Sequence, residues 1–255
     1  MERSIERLCL EIAEILRRRV HSIWLYGSVV LKDYRPGWSD IDFIAFADGP
    51  ISEAQAAELL TLRQTLSAKY PDDPYYRCFE GVITDLSEYQ TGRYTRLVYW
   101  GTTGQRITDR YEPDAFARYQ LARFGISVRG DGDRSIFSVP DRAELTAAVR
   151  RHYETIRSVA VQTDERLYSC GWLLDIARCI YTLRFRDVIS KTDAGTWALK
   201  EHLFPDDAPL IRTLEIRRDP SAYKDRPEVR EWLRGLGPTV QACADVLERE
   251  LSREL

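Results

Sequence analysis

The apolar pattern changes character once along the chain, near residue 138, and that change limits what the chain can fold into. Before it, apolar runs of strand length alternate with segments of helical period. Ile5, Leu8, Ile12, Ile15 and Leu16 recur at helical spacing and predict an amphipathic helix over 3–18. SIWLY at 22–26 predicts a strand that Gly27-Ser28 breaks, and VVLKDY after it is expected to form a short helix. DIDFIAFA at 40–47 and CFEGVIT at 78–84 predict two more strands. Between them residues 52–70 read as a helix opening on Ser52-x-x-Gln55, a capping-box pattern. Another helix is expected over 114–124, with Gly125 placed to end it. From SVPDRAEL onward only helical periods remain. Asp141-x-x-Glu144 opens one running to about 161, others span 165–185 and Ser190 to near Leu203, and Pro238 opens a last one to about 253. The expected architecture is an α/β (α+β) domain with a mixed sheet over 1–138, followed by an all-α helical bundle over 139–255.

The bulk chemistry narrows the partner. The net charge of −3 gives no basic footprint, so nucleic acid is not expected and the partner should be small or cationic. Five scattered cysteines form no CxxC pair and only three histidines are present, which argues against zinc and for a reducing compartment. The N-terminus MERSIERLCLEIAEILRRR has no apolar core of a signal peptide, and no run reaches membrane-spanning length. A cytoplasmic protein without membrane association, monomeric or weakly dimeric, is the expectation.

Asp40 and Asp42 are one residue apart in an otherwise apolar strand, so both side chains point to one face. Two carboxylates so close repel, and each is costly to desolvate. Either the pair faces solvent at an edge, or it holds a hard dication, and oxygen ligands of this kind suit Mg²⁺ with substrate phosphates. Upstream, Gly27 lacks a Cβ, so a ligand can approach the backbone. Ser28, at the start of the expected helix, would offer free N–H groups and a favourable dipole to phosphate. Ser39 is either a further phosphate hydroxyl or a turn residue after Pro36-Gly37. This is a nucleoside-triphosphate arrangement. Glu80 stands inside the apolar run of the third strand, where a carboxylate needs a partner or a task, and can share the metal or take a proton from an incoming hydroxyl. Asp85 competes for that task but reads as a turn residue at the strand end. In the helical half, Trp172, Asp175 and Cys179 share one helix face, with Asp175 the candidate to line a cleft.

The spacing GS-x(11)-DxD followed by a strand-borne carboxylate resembles the nucleotidyltransferase superfamily that includes DNA polymerase beta. Within it, RFGISVRGDGDRSIFSVPDRAEL and RCIYTLRFRDVISKTDAGTWAL are similar to the interdomain and C-terminal segments of the streptomycin/spectinomycin adenylyltransferase branch of the aminoglycoside nucleotidyltransferases. The resemblance implies a two-domain fold with ATP and drug bound in a cleft. It implies that Asp40 and Asp42 bind metal, that Glu80 is the catalytic base, and that Ser28 and Ser39 contact triphosphate. By the same resemblance Arg178 and Lys191 reach the phosphates and Tyr223 the nucleotide, while Trp100 and Asp164 contact drug. Asp164 is equally a cap for the helix that follows. The family's second drug-contacting tryptophan has no counterpart here. The implied reaction is Mg-dependent transfer of AMP from ATP to a hydroxyl of a cationic antibiotic. The alternatives are transfer to another acceptor, a lincosamide or a protein side chain, or a non-catalytic nucleotide-binding or antitoxin-like module.

Overall fold

The computed structural model describes residues 1–101 and 104–253. The chain divides into two compact units, Met1–Val30 with Asp40–Val139, and Leu31–Ser39 with Pro140–Leu255.

In the first unit β1 (Val20–Tyr26), β2 (Ile41–Ala47), β3 (Phe79–Asp85), β4 (Leu97–Gly101), β5 (Gly104–Thr108) and β6 (Ile126–Gly130) form one sheet in the order β5-β4-β3-β2-β1-β6. Only β2 and β3 pair in parallel, so the sheet is mixed. The parallel pair needs a crossover, which α2 (Glu53–Lys69) supplies. Both halves of the capping box form, Gln55 N–H to Ser52 Oγ and Ser52 N–H to Gln55 Oε1. α1 (Glu2–Ile15) and α2 lie on one side of the sheet, and α4 (Ala115–Phe124) on the other. α3 (Leu86–Thr91) is a short turn of helix capped by Asp85, whose carboxylate accepts Glu88 N–H at 2.9 Å. Alternation along the strands divides the side chains between two cores. Trp24, Ile44, Val82 and Leu97 meet Leu121 and Phe137 on one face. Phe43 and Trp100 meet edge to face on the other, ring centres 5.4 Å apart.

The structure differs from the sequence expectation in two places here. Strands β4, β5 and β6 and the short α3 had no predicted counterpart. The helix expected from VVLKDY does not form, and residues 27–32 are turns. Gly27 at φ +69° and Lys32 at φ +57° both leave helical backbone space.

The second unit is helical: α5 (Arg142–Val159), α6 (Tyr168–Phe185), α7 (Lys191–Lys200), α8 (Ala208–Arg218), the single turn α9 (Pro220–Tyr223), α10 (Pro227–Arg234) and α11 (Gly237–Ser252). α6 packs against α5, α7, α8 and α11 and is buried all round, as its near-continuous apolar sequence requires. Arg184 of α6 grips Glu250 of α11 through two nitrogens, at 3.1 and 2.6 Å. The box of Asp141 and Glu144 closes at the head of α5, and Ser190 caps α7. Among the described residues no helix is long and apolar enough to cross a membrane.

Candidate active site

The parallel register of β2 and β3 sets Asp42 directly beside Glu80, and the antiparallel register of β1 and β2 sets Tyr26 on the other side of Asp42. Neighbours in register share a face. A row of Tyr26, Asp42 and Glu80 therefore crosses three strands, and Asp40 stands just before the first residue of β2. Glu80 is half-buried. Burial, and then the negative charge of Asp40, push its carboxyl up to about 7, with Arg63 opposing. The Tyr26 phenol is driven well above its usual range, by burial first and then by nearby phenols and the Asp42 and Glu80 charges. Asp40 and Glu80 thus act on one another electrostatically, and Asp42 and Glu80 both act on the Tyr26 phenol.

Gly27 explains why Asp42 can sit where it does. A Cβ at Gly27 would lie 2.7 Å from the Asp42 carboxyl carbon and closer still to one of its oxygens, and the backbone there is left-handed. The space that the missing side chain leaves is filled by Asp42, not kept for a ligand. Gly27→Ala is expected to add about 1 kcal/mol of backbone strain and to displace the carboxylate. A displacement of that kind should lower turnover by roughly a hundredfold with a small loss of thermal stability. Steady-state kinetics beside a melting curve check it, and turnover within the wild-type range would show that the Asp42 position does not matter.

Ser28 donates to the Asp40 carbonyl at 3.3 Å, tying the turn after β1 to the start of β2. No helix follows Ser28, so the dipole argument for phosphate binding there has no support. Ser39 is buried and its hydroxyl accepts Arg35 N–H at 3.0 Å, which is the turn role. Trp100, expected to touch the acceptor, is a core residue: it is 1% exposed and its indole N–H is donated to the Leu59 carbonyl at 3.1 Å. Alternation sends it to the sheet face opposite Glu80, because it pairs with Gly81.

In the helical unit Asp175 is 6% exposed and holds both predicted phosphate-binding cations, Arg178 and Lys191, each at 3.0 Å. Burial drives the Asp175 carboxyl up, but Lys191 and Arg178 more than offset it and hold it below its usual range. Burial lowers the Lys191 ammonium, against the pull of Asp175. Asp175 is therefore a holder of cations and does not stand open to line a cleft. Asp164 accepts Arg166 N–H at 2.9 Å and the Ser169 hydroxyl at 3.1 Å, and so shapes the loop that delays α6 to Tyr168. Tyr223 ends α9, with the Arg226 guanidinium 4.7 Å from its ring centre.

One cluster had no signal in the sequence. Asp33 and Arg217, each 3% exposed, pair at 2.6 Å, and Asp33 also receives Thr192 N–H at 3.2 Å at the head of α7. No spacing rule links an aspartate in an N-terminal loop to an arginine 184 residues away.

The donor chemistry of Asp40 and Asp42 fits magnesium. Among the described residues no group of three or more His, Cys, Asp or Glu is gathered to hold a metal ion. A carboxylate pair completed by phosphate oxygens and water needs no third protein ligand, and a dication would relieve the repulsion that raises Glu80.

The nucleotidyltransferase-domain family profile matches residues 9–80, and that of the aminoglycoside adenylyltransferase C-terminal domain matches residues 135–245. Among solved structures, the chain is similar to spectinomycin adenyltransferase AAD(9) from Enterococcus faecialis, crystallised with ATP and spectinomycin. The identity is 18% and the TM-score 0.63, over 96% of this chain and 98% of that one. At that identity the likeness establishes the fold alone. No curated protein sequence matches the chain.

Proposed function

We propose that this chain, a nucleotidyltransferase of the aminoglycoside adenylyltransferase family, transfers AMP from ATP to a hydroxyl of an aminoglycoside or aminocyclitol antibiotic and releases pyrophosphate. The observation that carries the reading is Glu80: a carboxyl pushed up to about 7 beside Asp40 and in register with Asp42. A general base works best with a proton affinity near the operating pH. Glu80 takes the proton of the acceptor hydroxyl as its oxygen attacks the α-phosphorus, and the bond to the pyrophosphate oxygen breaks. Mg²⁺ held by Asp40 and Asp42 would stabilise the negative charge on the phosphate oxygens. Gly27 and the Ser28 bond to the Asp40 carbonyl fix where those two carboxylates stand. Arg178 and Lys191, pre-aimed by Asp175, supply positive charge for the triphosphate, and Tyr223 a contact to the nucleotide. Asp164 is half-exposed but already ion-paired with Arg166 at 2.6 Å, so an amine of the acceptor would compete with that guanidinium for it.

Incubation with Mg-ATP and a panel of aminoglycosides and aminocyclitols, followed by weighing the products, tests the proposal. A mass gain of one AMP on a drug is the expected result. The same gain on a lincosamide or on protein would reassign the acceptor, and bound ATP with no gain anywhere would leave a non-catalytic nucleotide binder.

A further inference from the structure

We propose that Tyr99 binds the acceptor beside Glu80, and that Gly101 is the residue that lets it reach there. The inference rests on the adenylyl-transfer reading above and adds the side chain that meets the incoming hydroxyl. On β4, Trp100 pairs with Gly81 and Tyr99 with Val82. Side chains alternate, so Tyr99 shares the face of Val82 and hence of Glu80, while its neighbour Trp100 turns to the opposite core. An aromatic residue of RLVYWG therefore does stand on the carboxylate face, one position earlier than the resemblance implies.

The ring of Tyr99 lies along the strand. A Cβ at Gly101 would come within 2.5 Å of the Tyr99 hydroxyl oxygen and 2.6 Å of the ring carbon that bears it. Two residues on from Tyr99 on the same face, Gly101 is the next position toward Glu80 in the β3–β4 register. The phenol leans over the glycine toward the base because nothing occupies that space. Arg106, the partner of Tyr99 on β5, holds the other side of the ring, its guanidinium carbon 4.1 Å from the ring centre. With both sides fixed, the hydroxyl has one direction to offer. Among the described residues it takes no hydrogen bond. Burial, and then the charge of Glu80, raise its pKa, so the phenol keeps its proton and donates at neutral pH. A row results in which a donor phenol stands beside acceptor carboxylates. That is the complement of a polyhydroxylated, amine-bearing ring, whose hydroxyl oxygen accepts from Tyr99 while its proton faces Glu80.

The test compares the wild type with Tyr99→Phe and Gly101→Ala, after the product of the wild type has been weighed. Removing one neutral hydrogen bond should raise the acceptor KM about threefold to tenfold in Tyr99→Phe. The ATP KM and the melting temperature should stay at wild-type values. Gly101→Ala should raise the acceptor KM further, because its backbone suits alanine and only the ring must move. An unchanged acceptor KM in Tyr99→Phe, or an ATP KM that rises in step with it, overturns the assignment. Should Gly101→Ala fail to fold, the Tyr99→Phe result decides alone. A wild type that adenylylates no acceptor defeats the parent reading, and this one with it, and is read without any variant.

Discussion

Glu80→Gln is expected to lower turnover by about a hundredfold to ten-thousandfold and, above pH 7, to make the protein harder to unfold. The two effects have one cause. Burial and the Asp40 charge raise the Glu80 carboxyl to about 7 in the fold, from an ordinary value of 4.5. The folded chain therefore holds this proton more tightly than the unfolded chain does. The stability this proton carries is fully present below the unfolded value, and it is lost as pH rises through the folded one. Gln mimics the protonated state and loses nothing at high pH. The gain over wild type should be near zero below about pH 4.5 and grow through the interval up to 7. Above it the gain should reach roughly 1–3 kcal/mol, from about 1.4 kcal/mol per pH unit between the two values, reduced by the water that screens a half-exposed carboxyl. Magnesium held by Asp40 and Asp42 would oppose the rise in pKa, so the unfolding series is run with chelator and the kinetics with metal. In the wild type kcat/KM should rise with pH as Glu80 loses its proton. A merely structural glutamate, replaced by its isosteric amide, would alter stability and leave kcat near wild type. That result would remove Glu80 from the chemistry.

Local and periodic signals in the sequence led to the right elements. Ser52-x-x-Gln55 and Asp141-x-x-Glu144 both close as capping boxes because such a box involves only residues three apart. Apolar runs gave β1, β2 and β3, since a strand buried on both faces has no other composition available. β5 and β6 escaped because GQRIT and ISVRG are edge strands that alternate weakly and have no buried residue. The helix expected after Ser28 failed on left-handed backbone at Gly27 and Lys32, which composition does not announce. In the site, the same-face argument placed Asp42, and the parallel register brought Glu80 beside it. Trp100 shows the limit of carrying a role across a resemblance, because a shift of one residue along a strand changes the face. The role of Asp175 was hidden for a related reason. Its partner Lys191 lies across a helix–helix contact, 16 residues on, where no periodicity rule reaches.

Asp33→Ala should destabilise the helical unit by about 3–5 kcal/mol, the range for leaving a buried charge without its partner. Arg217 is 3% exposed, and Asp33 is the carboxylate that pairs with it. Its remaining contacts are hydrogen bonds to the Thr192 hydroxyl at 3.1 Å and the Asp33 backbone carbonyl at 3.3 Å and the Trp38 ring, 5.2 Å away, none of which carries a formal negative charge. The same substitution takes the acceptor from Thr192 N–H, one of the orphan donors in the first turn of α7. Arg217→Met should cost less, because Asp33 keeps the Arg35 guanidinium at 3.2 Å and the Thr192 hydroxyl at 2.5 Å. The pair Asp33→Leu with Arg217→Met should recover most of the loss, because apolar groups of similar volume replace a buried ion pair at little cost. Acid sensitivity gives the sign an independent check. Burial raises the Asp33 carboxyl, but Arg217 and Thr192 more than offset it and hold it below the ordinary carboxylate range. Its stabilisation is present above the unfolded pKa and disappears as pH falls through the lowered folded value, so the apolar double variant should lose less stability in acid than wild type. Function should separate from stability in that variant. Lys191 is the first residue of α7 and Thr192 the second. Without Asp33 the first turn of α7 loses its anchor at Thr192, while Asp175 still holds the Lys191 ammonium, so nucleotide affinity should recover only in part where stability has returned. Urea unfolding followed by tryptophan fluorescence, beside nucleotide titration of the same four proteins, makes the comparison. If the double variant binds nucleotide as tightly as wild type, the Asp33 cluster holds the helices together and has no part in placing Lys191.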